Sequence, residues 1–507
     1  MGNRELDRRS FLGLTLSGAL AATVRAAPAS AAAGEIVRMD ALALAGLIRA
    51  RKLSCVEAMT AYLDHIEKLN PAVNAIVALQ ERGALIEQAR AGDEALRRGD
   101  AVGPLHGLPH AVKDLAPVKG IRTTFGSPIF KDFVPEADSL MVARLRRAGA
   151  IFIGKTNSPE FGFGSHTFNP VYGTTRNAYD QKVSAGGSSG GAGVGLALRM
   201  LPLADGSDYG GSLRNPAGWN NVYGFRPSIG VVPNDGKEQW LPSMGVSGPM
   251  ARNPADLALL LSVQAGYDRK VPLSADAPAW PARLDRDFKG ARIAWLGDFK
   301  GSAPTEPEVI SVCRAALKSF ETIGCVVEDA VPDYSADAVW QAFIQLRGWQ
   351  QGGNMLAHYK DPAKRALLKP EAIWEIETGL KLSAFDISAA SQLRSDWYRA
   401  VDRLFEHYDF LLAPTAQLFP FDAEWRWPKE VAGTGMATYH EWMKGVCLIT
   451  MSGCPSLAAP AGFSAAGLPI GLQIIAPNRQ ELAALQLAHA YHKETRWSEK
   501  RLSPLLA

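Results

Sequence analysis

The chain has 507 residues, of which 47% are hydrophobic and 21% charged, a composition typical of a globular protein with a large core. Its 54 basic and 51 acidic side chains give a formal net charge of only +3, which disfavours nucleic-acid binding driven by bulk electrostatics. Five cysteines are too few for a disulfide scaffold, and no paired Cys and His spacing indicates a zinc site. We expect these cysteines to be buried free thiols.

The first 33 residues have the pattern of an export signal. Arg8 and Arg9 precede an uncharged stretch over 11–24, and small residues follow up to position 33. The pattern predicts a twin-arginine (Tat) signal peptide, residues 1–33, that sends the protein to the periplasm or out of the cell. The uncharged stretch is too short and too polar for a confident membrane span, so no stable span is expected.

Residues 34–507 are predicted to form a single domain of alternating helices and strands. Helical spacing of apolar residues covers 40–70, where Ser54 and Glu57 form a capping box. In chain order, the pattern then predicts helix 83–98, strand 108–112, helix 139–148, strand 151–153, helix 254–264, strand 292–296, helix 308–322, strand 326–329, strands 456–459 and 469–475, and helix 481–492. This order favours an α/β fold with a mixed sheet between helices.

Tryptophan is concentrated in residues 330–445, which hold seven of the twelve in the chain. Aromatic side chains at such density usually belong to a core, and they also suit the apolar wall of a pocket. These tryptophans are Trp340, Trp349, Trp374, Trp397, Trp425, Trp427 and Trp442.

The glycine-rich segment 184–218 contains two serine sites. The first holds Ser188 and Ser189 between pairs of glycines, and the second holds Ser207 and Ser212. A backbone with so few side chains can approach a ligand closely and leaves amide N–H groups free to donate. The segment is therefore a candidate site for chemistry.

The second serine site is followed by a predicted helix start. Asn215 as N-cap and Pro216 at the first helical position would place Ser212 on a loop just before the helix. A nucleophile at this position would have nearby backbone amides available for an oxyanion. These predicted oxyanion-hole amides are Tyr209, Gly210, Gly211 and Ser212.

Three interpretations of the segment compete. A phosphate-binding or dinucleotide-binding loop is disfavoured because neither Gly-Lys-Ser/Thr nor Gly-x-Gly-x-x-Gly is present. Residues 187–191 fit Gly-x-Ser-x-Gly with Ser189 central, as in an α/β-hydrolase elbow. However, the preceding residues 181–186 are polar and glycine-rich instead of a buried strand.

The third interpretation is a resemblance. The two serine sites, whose Ser188 and Ser212 lie 24 residues apart, closely resemble the signature of the amidase signature family of serine hydrolases. The resemblance runs from about residue 40 to 495 and is weakest over 270–450, the region where relatives diverge. Further matching blocks lie at 107–114, 123–127, 154–161, 224–228 and 468–473.

The resemblance implies the amidase-signature fold, with a large mixed central β-sheet flanked by helices on both faces. It also implies Ser212 as nucleophile, Ser188 as a bridging serine after a cis peptide bond, and Lys113 as the base. Neither serine motif contains a histidine that could act as base. A neutral buried lysine can take this role instead, with a serine relaying the proton to it. Supporting roles are expected for Ser189, Ser207, Asp208 and Arg214.

Each of these assignments has a plainer alternative. A lysine at the end of a strand is usually solvated, but Leu108, Val112 and Leu115 around Lys113 indicate burial. Lys155, in another matching block, is expected to be structural. Asp208 and Arg214 are expected to fix the loop, whereas Ser189 and Ser207 are expected to bond the backbone or the lysine region.

The predicted function is hydrolysis of a carbon–nitrogen amide bond through an acyl-enzyme, with no cofactor and no metal. The expected partner is a small-molecule amide with an aryl or apolar acyl group; no nucleic acid is expected, and a homodimer is left open. One alternative is a component of an amidotransferase that acts on aminoacyl-tRNA, which the Tat signal and near-neutral charge disfavour. The other is a catalytically silent binding protein, which the intact Lys113, Ser188 and Ser212 set disfavours.

Overall fold

The computed structural model describes residues 33–236, 238–241, 244–277 and 283–507. The predicted signal peptide therefore lies outside the described residues, except for Ala33, which begins the first helix.

The described residues form sixteen α-helices and fifteen strands. The helices are α1 (Ala33–Ile36), α2 (Ala41–Arg49), α3 (Cys55–Val73), α4 (Arg82–Arg98), α5 (Leu140–Arg147), α6 (Gly190–Ala197), α7 (Arg214–Trp219), α8 (Pro254–Gln264), α9 (Pro307–Thr322), α10 (Ala336–Lys360), α11 (Pro362–Arg365), α12 (Pro370–Leu380), α13 (Ala384–Phe405), α14 (Lys444–Ser452), α15 (Glu481–Thr495) and α16 (Trp497–Lys500). The strands are β1 (Ile76–Val77), β2 (Pro109–Lys113), β3 (Ile151–Thr156), β4 (Phe168–Asn169), β5 (Gly173–Thr174), β6 (Ala204–Asp208), β7 (Tyr223–Arg226), β8 (Val246–Ala251), β9 (Arg292–Trp295), β10 (Val326–Asp329), β11 (Phe410–Pro414), β12 (Glu430–Val431), β13 (Thr434–Gly435), β14 (Ser456–Phe463) and β15 (Pro469–Ile475).

All the predicted elements are present, and α8, β10 and β15 have the predicted bounds. The helical stretch predicted over 40–70 is two helices, α2 and α3. They separate where Ser54 caps α3: its Oγ accepts the Glu57 N–H at 3.0 Å, and the Glu57 carboxylate accepts the Ser54 N–H at 2.8 Å. The predicted capping box is therefore confirmed.

The sequence patterns did not reveal α6, whose eight residues include four glycines. Glycine disfavours helices in isolation, but here close packing requires it. A side chain at Gly191 would meet the backbone oxygen of Asn157 at 2.8 Å. Tertiary packing thus overrides propensity in the helix that follows Ser188 and Ser189.

A mixed eight-stranded sheet has the order β10-β9-β11-β15-β14-β7-β8-β6. Its first three strands are parallel, and the remaining neighbours pair antiparallel. Helices α7, α8, α9 and α15 pack against this sheet. The predicted α/β fold with a large mixed sheet is confirmed.

A smaller sheet, β1-β3-β2, lies beside the large one. The Asp205 carboxylate on β6 joins the two sheets, since it lies 2.9 Å from His110 Nε2 and accepts the Lys113 N–H at 3.3 Å, both on β2. Strand β2 is thereby held against β6, whose end leads into the second serine site.

The tryptophans of 330–445 have mixed environments. Trp340, Trp397 and Trp442 are buried, as expected of core residues, whereas Trp425 is 54% exposed. Trp442 stacks on Trp219 with ring centroids 5.6 Å apart.

All five cysteines are buried and free, as predicted. No helix in the described residues is long and apolar enough to span a bilayer.

The packing of α7 on the large sheet yields a stability prediction. A methyl group at Gly218 would meet the Thr415 hydroxyl and lie 2.9 Å from the backbone nitrogen of Gly471. We expect Gly218→Ala to lower the free energy of unfolding by about 1–3 kcal/mol, as overpacking does. A methyl group at Gly46, on the exposed face of α2, would have no other atom within 4 Å. Gly46→Ala should raise stability by up to about 1 kcal/mol. Urea denaturation of both variants measures the difference; equal midpoints would contradict the packing argument.

Candidate active site

A cavity of about 250 Å³ lies where the end of β6 meets the face of α10. Both serine sites open into it. Its polar lining includes Ser188, Ser207, Asp208, Ser212, Asn234, Arg347, Gln351, Asn354 and His440. Its apolar lining includes Leu115, Phe161, Tyr209, Phe343, Val246 and Met443. No tryptophan is among the described residues that line it, so of the two interpretations of the tryptophan-rich stretch, this cavity does not support the pocket wall. Trp340 packs behind the lining, since it stacks on Phe343.

Lys113, the last residue of β2, points its ammonium group between the two serine sites. The side chain is 1% exposed. Its Nζ lies 2.8 Å from both Ser188 Oγ and Ser189 Oγ, and 3.1 Å from Ser207 Oγ. It also donates to the Ser207 carbonyl at 3.2 Å. The two serine motifs therefore converge on one lysine.

Burial lowers the pKa of Lys113 to about 7, although the charges of Asp205 and Asp208 oppose the change. Desolvation disfavours the charged form of an amine, which explains the direction. Near neutral pH a substantial fraction of Lys113 is therefore the free amine, which can accept a proton. The surrounding hydroxyls can donate to the free amine or accept from the ammonium form.

Ser188 follows a cis peptide bond between Gly187 and Ser188. The carbonyls of the preceding residues are anchored by hydroxyl groups: Ser165 Oγ donates to the Gly187 oxygen at 2.5 Å, and Thr167 Oγ1 donates to the Gly186 oxygen at 2.7 Å. These bonds fix the backbone that presents Ser188 to both Lys113 and the cavity.

Ser212 lies on the loop between β6 and α7, at the same cavity. Its hydroxyl has no hydrogen-bond partner among the described residues. The helix begins at Arg214 with Leu213 as N-cap, so the predicted N-cap role of Asn215 is wrong. Because the Asn215 N–H already donates to the Gly211 carbonyl at 2.7 Å, Asn215 is inside the first turn. Ser212 still precedes the helix, two residues before its start.

Asp208 holds this loop in place. Its carboxylate accepts the backbone N–H of Gly211 at 2.9 Å and that of Leu213 at 3.0 Å. It also accepts two bonds from Arg214 at 3.0 Å and one from Arg226 at 3.2 Å. Burial opposes the charge, but Arg214 and Arg226 hold the pKa of Asp208 well below its usual range. The expected loop-fixing role of Asp208 and Arg214 matches these contacts.

The Asp208 carboxylate also changes the predicted oxyanion hole. The Gly211 N–H is already donated to Asp208, so it is not available to a substrate oxygen as predicted. Tyr209, Gly210 and Ser212 line the cavity, and their N–H groups have no backbone acceptor in the described part of the chain.

Two buried basic residues, Lys155 and His110, lie beside the site without joining it. Lys155 on β3 donates to the Ala116 carbonyl at 2.5 Å and to Thr123 Oγ1 at 3.2 Å, and contacts neither serine site. Burial lowers the pKa of Lys155 to about 8. His110 pairs with Asp205. Both residues support the strands that carry Lys113.

The part of the site that comes from α10 was not predicted from the sequence. Phe343, Arg347, Gln351 and Asn354 lie on one face of this helix and line the cavity together. Their spacing of four, four and three residues is that of one helical stripe. The stripe is mixed in polarity, so an apolar pattern alone does not detect it.

No group of three or more His, Cys, Asp or Glu residues in the described ranges has the arrangement of a metal site. The polar groups that line the cavity are hydroxyl, amide, guanidinium, imidazole and carboxylate groups.

Comparison with known proteins gives consistent matches over nearly the whole chain. The Amidase family model matches residues 57–485. An acylamidase of Rhodococcus erythropolis is 32% identical over 91% of this chain and 97% of its own. A component of the glutamyl-tRNA(Gln) amidotransferase of Moorella thermoacetica is 33% identical over 92% and 99%.

Solved structures of similar proteins have the same fold over nearly the whole chain. A bacterial aryl acylamidase of the amidase signature family has a TM-score of 0.85 and 29% identity, with 91% of this chain and 97% of that chain covered. A 6-aminohexanoate cyclic dimer hydrolase has a TM-score of 0.80 and 25% identity, over 93% and 99%. The fold and the matches together define an amidase signature enzyme, and the chain belongs to that family. It is a hydrolase of carbon–nitrogen amide bonds.

Proposed function

We propose that the protein hydrolyses small-molecule amides with Ser212 as nucleophile, Ser188 as proton relay and Lys113 as base. The observation that carries the proposal is the buried Lys113 Nζ at 2.8 Å from Ser188 Oγ, in a cavity that Ser212 also lines. A serine hydroxyl needs a base to attack a carbonyl. A lysine whose pKa is about 7 can supply one at neutral pH.

In the first half of the reaction, the Ser212 oxygen forms a bond to the amide carbonyl carbon. The Ser212 proton passes to Ser188 Oγ while the Ser188 proton passes to Lys113 Nζ. Catalytic hydrogen bonds are often completed only when substrate is bound, so the bond from Ser212 to Ser188 forms in that complex. The proton then returns from Lys113 Nζ through Ser188 Oγ to the amine nitrogen, and the carbon–nitrogen bond breaks.

In the second half, water attacks the acyl-enzyme and gives one proton to the relay. The Ser212 oxygen then leaves with that proton, and the carboxylic acid is released. In both halves a negative charge develops on the carbonyl oxygen. The N–H groups of Tyr209, Gly210 and Ser212 are the donors we assign to it, since donors fixed beforehand stabilise such charge strongly.

A second candidate function is that of an amidotransferase component, favoured by the 33% identity to part of a glutamyl-tRNA(Gln) amidotransferase. Such a role needs glutamine or asparagine as amide donor. Assay of the isolated protein with glutamine and with simple amides separates the two candidate functions. Release of ammonia from glutamine, with no hydrolysis of the simple amides, would favour this second function.

The nucleophile is tested by Ser212→Ala and Ser188→Ala. We expect Ser212→Ala to lose nearly all turnover of a short aryl amide and all labelling by a fluorophosphonate probe, since the attacking oxygen is gone. Ser188→Ala should reduce kcat by about 10²–10⁴-fold, the usual contribution of a positioned proton transfer. Thermal unfolding checks that both variants fold. Wild-type turnover by Ser212→Ala would end the assignment.

The base is tested by the pH dependence of kcat/KM. If Lys113 must be neutral to accept a proton, kcat/KM rises with pH along one limb centred near its pKa of about 7. Lys113→Met should lose most activity and remove this limb. Lys155→Met is the matched control, because Lys155 is also buried but lies outside the relay; it should keep the limb. A wild-type pH profile for Lys113→Met would make the lysine structural.

We also propose export through the twin-arginine pathway, supported by Arg8, Arg9 and the uncharged stretch after them. Replacing both arginines by lysine keeps the charge but removes the recognised pair. The variant should remain inside the cell as full-length precursor, whereas wild type is recovered from the periplasm or medium. Fractionation and immunoblotting measure the distribution; normal export of the variant would show that the N-terminus is not this signal.

A further inference from the structure

A buried polar cluster closes the end of the cavity that α10 provides. Arg347 is 6% exposed and Glu375 is fully buried. The Arg347 Nε donates to the Glu375 carboxylate at 2.5 Å, and its Nη2 donates to the Tyr439 hydroxyl at 3.0 Å. Tyr439 in turn donates to Glu375 at 2.5 Å. The guanidinium is therefore fixed on one edge.

The other edge of the guanidinium is open. Its plane lies over the Tyr209 ring at 4.8 Å and over the Phe163 ring at 5.5 Å, which restrains its tilt. The remaining nitrogen, Nη1, donates to no acceptor in the described part of the chain, and Arg347 lines the cavity. An immobilised donor is thus presented to whatever occupies the cavity.

His440 supplies a second unused polar atom. It is 1% exposed and lines the same cavity. Its Nε2 lies 3.8 Å from the Glu375 carboxylate, beyond hydrogen-bond distance, and has no hydrogen-bond partner in the described residues. Its Nδ1 lies 2.8 Å from Thr438 Oγ1. Stacking on Tyr439 and edge contacts with Trp340 and Trp374 fix the ring. A buried polar atom without a partner is costly, so a bound group that satisfies it would gain affinity.

These two atoms lie on the side of the cavity that would hold the acyl part of a substrate. A side chain at Gly210, on the oxyanion loop, would touch Phe343 of α10 at 3.3 Å, one turn from Arg347. Ser188, which would protonate the leaving amine, lies instead beside Gly162 and Leu115. The α10 side of the cavity is therefore left for the acyl chain.

We propose that Arg347 Nη1 and His440 Nε2 form a subsite for a second, uncharged amide group on the acyl chain of the substrate. This inference rests on the proposed function. The carbonyl oxygen of the second amide accepts from Arg347. Since an amide offers both a donor and an acceptor, it matches His440 Nε2 in either tautomer.

Charge balance favours an uncharged ligand group over a carboxylate. The positive charge of Arg347 is already neutralised by Glu375. Burial, and then the charge of Arg347, lowers the pKa of His440 well below its ordinary value, which favours the neutral ring. A ligand carboxylate would bring a buried charge beside an arginine that is already paired. The other arginine whose charge reaches Tyr209 is Arg394, and it is not among the residues that line the cavity. An uncharged amide group differs from the apolar or aryl acyl group that the sequence suggested.

The test compares matched short amides. We measure kcat/KM for butanediamide, pentanediamide and hexanediamide against the corresponding monoamides of equal chain length, and against the half-acids that carry a carboxylate at the far end. A hydrogen bond to a charged donor is expected to favour the best diamide over its monoamide by about 10- to 150-fold. The half-acid should be no better than the monoamide.

Variants assign the preference to the cluster. Arg347→Met combined with Glu375→Gln removes both charges together, and His440→Phe keeps a ring while removing the unused nitrogen; each should bring the diamide-to-monoamide ratio towards one. Glu377→Gln is the matched control, because Glu377 lies on the same helix but accepts from Tyr359; it should keep the wild-type ratio.

The outcomes separate this inference from the proposed function. A wild-type protein that hydrolyses monoamides and is labelled by a fluorophosphonate, but shows no diamide preference, would overturn the subsite alone. Preference for the half-acid, or a ratio unchanged in both variants, would overturn it as well. If no amide is hydrolysed and Ser212 is not labelled, the proposed function itself fails.

Discussion

The buried Asp208 carboxylate is the interaction on which the rest of the site depends. It is bound by two guanidinium groups and two backbone amides, which together offset the cost of removing its charge from water. Arg214 extends the network, because it also donates to Gln473 on β15 at 2.7 Å and to the Thr450 hydroxyl on α14 at 2.6 Å. The loop carrying Ser212 is thus tied to two distant parts of the chain.

The same network leaves Lys113 with little electrostatic support. Asp208 and Asp205 are the charges near the lysine, but Asp208 is engaged by two arginines and Asp205 by His110. Desolvation therefore dominates and lowers the pKa of Lys113 towards neutral pH. The hydroxyls of three serines satisfy Nζ without adding charge, so proton acceptance does not require an ion pair to be broken.

Local patterns in the sequence predicted much of the fold. The capping box at Ser54, helix α8 and strand β15 all follow from spacing and turn chemistry within a few residues. The two serine motifs and Lys113 were found through a resemblance spread over several blocks, and the structure brings them together. Local rules failed at α6, where packing requires glycine, and at Asn215, where the chain turns into a helix earlier than the Asn-Pro pair suggests.

The polar end of the cavity was beyond such reasoning. Arg347 meets Glu375 and Tyr439 across 28 and 92 residues, and nothing in the sequence near any one of them indicates the other two. The Gly211 amide was predicted to be free, but the Asp208 side chain three residues earlier accepts its N–H. That bond is local, and it shows that a side-chain acceptor within one turn can take a donor that a glycine-rich loop would otherwise leave free.

The placement of β6 has a consequence for solubility. The strand is one edge of the eight-stranded sheet, and a bare edge invites pairing with another chain. The end of β2 covers it, since Asp205 accepts from His110 and from the Lys113 backbone while the Lys113 side chain occupies the Ser207 carbonyl. At the opposite edge, β10 is protected differently, by exposed Glu328 and Asp329. The contacts that hold Lys113 in place therefore also cover an edge of the large sheet.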